Sequence, residues 1–173
     1  MQDVWVQVFN QRKITLFDGD GLKSALLDVN FHSLCDQYGL NPDEIPSMLS
    51  QLEFITAPEE AAPFALLKYK SEKGPPLVIY RWKVNHEAGA IWLKQAKKNA
   101  NNPEVISHLD QTQEIIAIAL RATQLEDLGL LLSYEVARWA AAEGQGLVYG
   151  LDGIWYRLNQ HQAFLPLEGP VQV

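Results

Sequence analysis

The stretch from Glu114 to Leu158 constrains the fold more than any other part of this chain, because it indicates three connected elements without a break. Residues 114–122 (EIIAIALRA) are aliphatic and rich in isoleucine, which is typical of a buried strand. Thr123 and Glu126 then have the spacing of a capping box, in which both side chains accept hydrogen bonds from backbone amides at the start of a helix. The segment therefore predicts a strand that leads into a capped helix.

The helix predicted after Thr123 has one apolar face and a defined end. Its apolar residues recur at intervals of three and four, which puts them on one side of a helix. They are Leu125, Leu128, Leu132, Val136, Trp139 and Ala140. Gly144 suits the left-handed conformation that commonly ends a helix. Gly146–Tyr149 and Ile154–Leu158 then flank Asp152-Gly153, a turn dipeptide that predicts a β-hairpin.

The other predicted strands also arrive in pairs. Val4–Phe9 with Ile14–Phe17 predicts one hairpin, and Phe64–Lys70 with Leu77–Val84 predicts another. Helices are predicted over Leu22–Tyr38, after a cap at Asn41, over His86–Lys98 and, as a short turn, over Pro103–Leu109. Strands in hairpins favour an antiparallel sheet over a parallel one. We therefore predict an α+β fold: a single domain at residues 1–158, with a mainly antiparallel sheet and three to four packed helices, followed by an extended tail at residues 159–173.

Charge and composition exclude several classes of partner. The chain has 173 residues and a formal charge of −7, so we expect no nucleic-acid partner, whose phosphates would be repelled. No apolar run approaches the roughly 20 residues of a bilayer span, and we expect no membrane partner. The single cysteine, Cys35, excludes an internal disulfide framework. With no secretory leader pattern at the N-terminus, these features predict an acidic cytoplasmic protein.

One short motif suggests phosphate chemistry. The apolar run Ile14–Phe17 leads into Asp18-Gly19-Asp20-Gly21, which resembles the first motif of the haloacid-dehalogenase-like phosphatases. The resemblance implies that Asp18 would be a nucleophile and Asp20 an acid/base, with later acidic residues binding magnesium. Leu22 stands where that family prefers threonine or valine, and no later acidic metal motif follows a buried strand. We favour the structural interpretation, in which Asp18 or Asp20 caps the helix that follows.

A second set of residues has the chemistry of metal ligands. Asp28, His32 and Asp36 are spaced four apart and would share one face of the predicted helix. Carboxylate and imidazole suit zinc and similar ions. Asp28 and Asp36 would lie roughly 12 Å apart at 1.5 Å per residue, so one ion cannot easily reach both. We therefore predict a solvated polar face and no metal site, with Asp28 and His32 kept as the alternative ligands.

The C-terminal region indicates contact with another protein. The glycine patterns of nucleotide sites and the motifs of serine nucleophiles are absent, so no cofactor and no catalytic residue is predicted. Trp155 and Tyr156 fall on opposite faces of a strand, and Phe164 and Leu165 make the tail apolar. Apolar residues in an extended segment favour packing against a surface. We predict these four residues as an interaction surface.

The end of the chain also resembles a group of domains. The strand, amphipathic helix and GLVY…DG.WY hairpin of Glu114–Leu158 are similar to small bacterial α+β domains, some thought to be immunity or accessory proteins. We predict a non-enzymatic protein that contacts another protein or a second copy of itself in a homodimer, as an accessory, regulatory or immunity-like factor. The alternative is a small-molecule-binding protein or metal-dependent hydrolase with a site near Asp18, Asp20 and His32.

Overall fold

The computed structural model describes residues 3–57, 63–71 and 73–167. Within these ranges the chain has an α+β fold with one sheet of eight antiparallel strands and six α-helices. The predicted fold class is confirmed. The predicted number of three to four helices is wrong, chiefly because one predicted helix is two and the turn predicted at Pro103 is a full helix.

The elements follow one another along the chain with short connections. The strands are β1 (Val4–Asn10), β2 (Glu53–Thr56), β3 (Ala65–Lys68), β4 (Leu77–Lys83), β5 (Glu114–Leu120), β6 (Gly146–Tyr149), β7 (Trp155–Leu158) and β8 (Phe164–Leu167). The α-helices are α1 (Gly19–Leu27), α2 (Phe31–Tyr38), α3 (Ile45–Gln51), α4 (Glu87–Lys98), α5 (Pro103–Asp110) and α6 (Gly129–Gly144), and two 3₁₀ helices cover Pro42–Glu44 and Ala122–Glu126. The strand order in the sheet is β2-β3-β4-β5-β1-β6-β7-β8.

Two compact units share the chain. The first comprises Met1–Trp5, Leu16–Tyr80 and Ile118–Val136, and the second comprises Val6–Thr15, Arg81–Ala117 and Ala137–Val173. In the first unit the Phe17 ring packs against Phe54 and Phe64, with ring centroids 5.9 and 5.0 Å away. The second unit has a core cluster contributed by β1, α4, α5, β5, β6 and β7, whose buried members are Phe9, Ala96, Ala100, Val105, Leu109, Ile115, Leu147 and Trp155.

The single helix predicted over Leu22–Tyr38 is two helices. α1 ends at Leu27, and Asn30 caps α2 by accepting a hydrogen bond from the Ser33 amide at 3.1 Å. Gly39 ends α2 with a φ of +67°, as its sequence position predicts. An asparagine side chain favours this break because it satisfies a backbone donor that would otherwise have no partner.

The strand predicted over Ile14–Phe17 is absent, although the structure describes all four residues. Ile14 is fixed instead by side chains. Its amide donates to Glu114 Oε2 at 3.0 Å, and its carbonyl accepts from Arg81 Nη2 at 2.6 Å. Arg81 also forms an ion pair with Glu114, whose side chain is 2% exposed. The backbone groups of Ile14 are therefore paired without a neighbouring strand.

Thr123 does not cap a helix, and a 3₁₀ helix with Arg121 at its N-cap precedes α6. Gln124 accepts a hydrogen bond from the Arg121 amide at 2.8 Å, and its own amide nitrogen donates to the carbonyls of Pro75 and Pro76 at 3.0 and 3.1 Å. This arrangement begins a 3₁₀ helix, and α6 starts only at Gly129. Thr123 is exposed and does not cap α6.

The C-terminal hairpin forms as predicted and is extended by a further strand. β6 pairs with β7 across a turn in which Gly153 has a φ of +76°, which suits glycine. β8 pairs with β7 in antiparallel register, so Phe164–Leu167 within the predicted tail belongs to the sheet. The end of that tail, residues 168–173, lies outside the described residues.

Candidate functional site

A cleft in the second unit brings together asparagine side chains and apolar groups. Its volume is about 440 Å³. We call it the asparagine cleft, and it is lined by Asn99, Asn101, Asn102, Gly153, Ile154, Trp155, Pro166 and Leu167. These residues come from three separate segments: the α4–α5 connection, the start of β7 and the end of β8.

The first wall of the cleft is the connection between α4 and α5. Asn99 ends α4, and its backbone amide donates to the Ala96 carbonyl at 3.0 Å. Asn102 begins α5, and its side-chain oxygen accepts from the Glu104 amide at 2.8 Å. Ala100, between them, is buried in the core cluster. Helix capping at both ends and one buried anchor therefore fix the asparagines in place.

α5 is held against β1 by a neutral histidine. His108 Nε2 donates to the Phe9 carbonyl at 2.7 Å, and Gln11 Nε2 donates to His108 Nδ1 at 3.2 Å. This pair of hydrogen bonds requires one protonated and one unprotonated ring nitrogen. Burial lowers the pKa of His108, although the Phe9 carbonyl and Glu104 act in the opposite direction. The neutral imidazole thus helps to position the helix that begins at Asn102.

The second wall is the turn before β7. Asp152 fixes it through both carboxylate oxygens, which accept from the Ile154 amide at 3.0 Å and from the Tyr156 hydroxyl at 2.5 Å. The Gly150 amide also donates to the Ile154 carbonyl at 2.9 Å. Ile154 is 40% exposed, so a large apolar side chain faces solvent on a turn with little freedom to rearrange.

Trp155 forms the floor of the cleft. Its ring packs against Phe9 and Tyr149, with centroid distances of 5.2 and 4.7 Å. Its indole N–H points to the Asn99 carbonyl at 3.4 Å, a long hydrogen bond that links the floor to the first wall. Only 5% of Trp155 is exposed, so it supports the cleft and offers a ligand the edge of its ring at most.

The chemistry of the cleft is that of a neutral binding site. None of its eight lining residues has an ionisable side chain. Asparagine amides both donate and accept hydrogen bonds, and the other large lining side chains are apolar. The lining provides no nucleophile and no general acid or base. This arrangement can bind an uncharged group but contains no catalytic machinery.

The four predicted interaction residues divide between two faces of the hairpin. Trp155 lies in the cleft, whereas the Tyr156 ring packs against Phe164 at 5.7 Å. The Arg138 guanidinium lies over the Phe164 ring at 5.1 Å, so α6 contacts this second face. Leu165 is half-buried. Only one of the four therefore belongs to the asparagine cleft.

The two aspartates of the phosphatase-like motif lie at the start of α1. Asp18 caps α1, and its Oδ1 accepts from the Gly21 amide at 2.8 Å. Asp20 is exposed in the first turn of α1, where a carboxylate complements the helix dipole. Neither residue lines the asparagine cleft. The hydrogen bond from the Gly21 amide agrees with the capping interpretation.

The residues considered as alternative metal ligands do not lie on one helix face. Asp28 follows the end of α1, whereas His32 and Asp36 are on α2, so the three residues do not share one helix. The correction follows from the break at Asn30. Across residues 3–57, 63–71 and 73–167, no group of three or more histidine, cysteine, aspartate or glutamate residues could hold a metal ion.

Sequence reasoning missed the asparagines of the cleft. Residues 99–102 lie between the helices predicted over His86–Lys98 and Pro103–Leu109, and no functional role was predicted for them. Three asparagines in four residues are a signal, but asparagine is also the usual residue for helix ends and turns. Indeed Asn99 and Asn102 have those local roles as well. Their convergence with Ile154 and Leu167 depends on sheet pairing, which local sequence does not encode.

Two further observations concern the chain as a whole. Every helix in the described part of the protein is too short or too polar to cross a lipid bilayer. No protein-family model matches the chain, and no curated protein or solved structure shows significant similarity to it.

Proposed function

We propose that this chain is a non-enzymatic binding protein that holds an uncharged, apolar segment of another protein in the asparagine cleft. The observation that supports this most is the lining itself, which combines amide groups with Ile154 and Leu167 and has no ionisable side chain. A peptide backbone presents amide donors and acceptors that asparagine side chains complement. Its apolar side chains would contact Ile154.

The dimensions of the cleft agree with a short segment. A volume of about 440 Å³ lies within the range of roughly 300–1,000 Å³ that is usual for ligand sites. The turn at Asp152 and the caps at Asn99 and Asn102 fix the walls in advance. Fixed walls reduce the entropy that binding costs, so a small cleft can still give useful affinity.

Charge favours a different protein over a second copy as the partner. Each copy has a formal charge of −7, so two copies repel one another at long range. Salt screens that repulsion beyond about 8 Å under physiological conditions, and a close dimer is therefore an outcome for the experiment to decide. A cytoplasmic location is part of the proposal, supported by the single cysteine, which is buried and free.

The proposal is tested by selecting peptides from a phage-displayed library of random heptapeptides. We expect the selected peptides to be neutral and apolar. Ile154→Asp should weaken their binding at least tenfold, because it introduces a charge into an uncharged cleft. The matched control is Ile106→Asp on α5, where the isoleucine is 44% exposed and does not line the cleft. Binding to that variant should be unchanged.

Three results would overturn this assignment. The first is a charged consensus among the selected peptides, and the second is equal peptide binding by the Ile154→Asp and Ile106→Asp variants. The third is a dimer in sedimentation equilibrium that Ile154→Asp dissociates and Ile106→Asp does not, which would make a second copy the occupant. Circular dichroism of both variants establishes that they are folded.

A further inference from the structure

A separate pocket in the first unit has a different chemistry. Its volume is about 300 Å³, and it lies between α3 and the segment that follows β3. We call it the tyrosine pocket, and it is lined by Glu44, Ser47, Met48, Gln51, Tyr69, Lys70, Ser71 and Leu128. Two of these residues, Met48 and Leu128, are buried apolar side chains, and most of the others are polar.

One wall of the tyrosine pocket is fixed by Asp127. The Tyr69 hydroxyl donates to Asp127 Oδ1 at 2.9 Å, and the Gly129 amide donates to the same oxygen at 2.7 Å. Gly129 is required here, because a Cβ atom at this position would lie 2.4 Å from the Tyr69 oxygen. Burial first, and then the Asp127 carboxylate, raise the pKa of Tyr69. Its phenol therefore stays protonated and acts as a hydrogen-bonding wall.

The charges of the tyrosine pocket do not cancel. Lys70 Nζ lies 2.5 Å from Asp127 Oδ2, so its positive charge is neutralised by that carboxylate. The Glu44 carboxylate is exposed at the pocket and is not part of this pair. The remaining charge of the pocket is negative.

Neutral oxygen atoms lie beside this carboxylate. Gln51 Nε2 donates to Ser47 Oγ at 2.6 Å, which leaves the Gln51 carbonyl oxygen as an acceptor. Ser71 provides a further hydroxyl group. Carboxylate, amide and hydroxyl oxygens are acceptors for an ammonium group, while Met48 and Leu128, each 2% exposed, offer an alkyl chain only the edges of their side chains.

We propose that the tyrosine pocket binds a small alkylammonium ion, with the ammonium group beside Glu44 and the alkyl chain against Met48 and Leu128. An anion is disfavoured, because Lys70 is the only cation of the lining and its charge is already paired. The volume, at the lower end of the range for ligand pockets, limits the alkyl chain to a few carbons. This proposal does not depend on the function proposed for the asparagine cleft.

The test is isothermal titration calorimetry of the full chain with n-butylamine, with sodium butyrate as the anion of matched size. We expect butylamine to bind and butyrate not to bind. Glu44→Gln should weaken butylamine binding about two- to fivefold, which is the range that one exposed charge pair contributes. Asp43→Asn removes the same charge from the neighbouring exposed residue, which does not line the pocket, and should have little effect.

A second pair of variants tests the location of the binding site by placing a large side chain inside or outside the pocket. Ser47→Trp should abolish butylamine binding, since Ser47 is an exposed residue of α3 that lines the pocket. Ser50→Trp on the same helix, outside the lining, should retain it. The proposal would be wrong if butyrate bound as tightly as butylamine, if butylamine failed to bind, or if Glu44→Gln and Ser47→Trp both left butylamine binding intact.

Discussion

Buried polar side chains carry much of the specificity of this fold at the scale of single residues. Glu114 has one carboxylate oxygen paired with Arg81 and the other bonded to the Ile14 amide, in a site almost closed to water. A buried charge is tolerated only when its hydrogen-bonding capacity is met in this way. The arrangement also fixes the direction of the chain as it leaves β1.

Loss of this carboxylate should be costly. Glu114→Ala leaves Arg81 and the Ile14 amide without their acceptor, so we expect a loss of about 3–5 kcal/mol in the free energy of unfolding. The control is Asp110→Ala. Asp110 forms an exposed ion pair with Lys97 at 3.2 Å, and its removal should cost no more than about 1 kcal/mol. Urea denaturation of both variants measures the difference, and equal losses would contradict the prediction.

His108 should make stability depend on pH. Its pKa in the folded protein lies below the ordinary value of 6.5, so the unfolded chain binds the proton more readily. The stabilisation is complete above about pH 6.5 and is lost as the pH falls from there through the lower folded pKa. Protonation of Nδ1 would also remove the acceptor for Gln11.

The measurement compares the urea midpoint at about pH 7.5 and about pH 5.5 for the native chain and for His108→Gln. We expect the urea midpoint of the native chain to be lower at the lower pH, and the midpoint of His108→Gln to decrease by less. His32→Gln, at an exposed position on α2, should keep the full pH dependence. The role of His108 would be refuted by a native chain that is as stable, or more stable, at the lower pH.

At the scale of elements, the sequence showed which residue types could cap a helix, but it did not always show at which residue a helix begins or ends. Gly39 and Asn41 were predicted correctly, because a helix end needs a left-handed residue or a side-chain acceptor wherever it occurs. The break at Asn30 was missed because apolar residues on both sides keep helical spacing. Local pattern alone does not show which of several acceptable caps is used.

The choice between Thr123 and Gln124 illustrates what local sequence lacks. Both residues can bond to backbone groups near the start of a helix. Gln124 is used because its amide also reaches the carbonyls of Pro75 and Pro76, which are distant in sequence. That contact exists only after the chain has folded, so a tertiary hydrogen bond decides a local feature.

Alanine substitutions at Gln124 and Thr123 should differ clearly in their effect on stability. Gln124→Ala leaves the Arg121 amide and two carbonyls without a partner, and we expect a loss of about 2 kcal/mol or more. Thr123→Ala, one residue away at an exposed position, should change stability by less than about 0.5 kcal/mol. A larger effect for Thr123 than for Gln124 in thermal or urea unfolding would restore the capping box that the sequence suggested.

At the scale of the whole molecule, the order of the strands in the sheet was the part of the fold that the sequence could not predict. The strand pairs joined by hairpins were predictable, since β3–β4 and β6–β7 are close in sequence. The place of β1 between β5 and β6 was not, and neither was the asparagine cleft, whose walls are distant in sequence. Long-range pairing depends on many weak contacts acting together, which no local motif records.

The outer edge of β8 is protected by Pro166. The Asn159 amide donates to the Ala163 carbonyl, and hydrogen-bonded pairs alternate along an antiparallel ladder. The pair Tyr156–Pro166 is therefore not hydrogen-bonded, so the backbone of Pro166 faces away from β7. A proline at this position removes a donor that another strand would need.

Replacing Pro166 should expose that edge. Pro166→Val restores an outward N–H, and we expect the apparent mass in sedimentation velocity to rise with protein concentration more steeply than for the native chain. Leu165→Val is the control, because the amide of Leu165 already points towards β7 and the substitution adds no outward donor. Identical behaviour of the two variants would show that the proline does not limit association.

The hydrogen bond between Ile14 and Glu114 also has a consequence during protein synthesis, because the ribosome makes its two partners at different times. The two residues are 100 positions apart, so at roughly 5–20 residues per second the ribosome needs on the order of 5–20 s to deliver the second after the first. β1 emerges before either of its neighbours in the sheet has been made. During translation, β1 therefore exposes apolar residues that its neighbouring strands later cover. We expect chaperones to bind nascent chains that stall before β5 has been made.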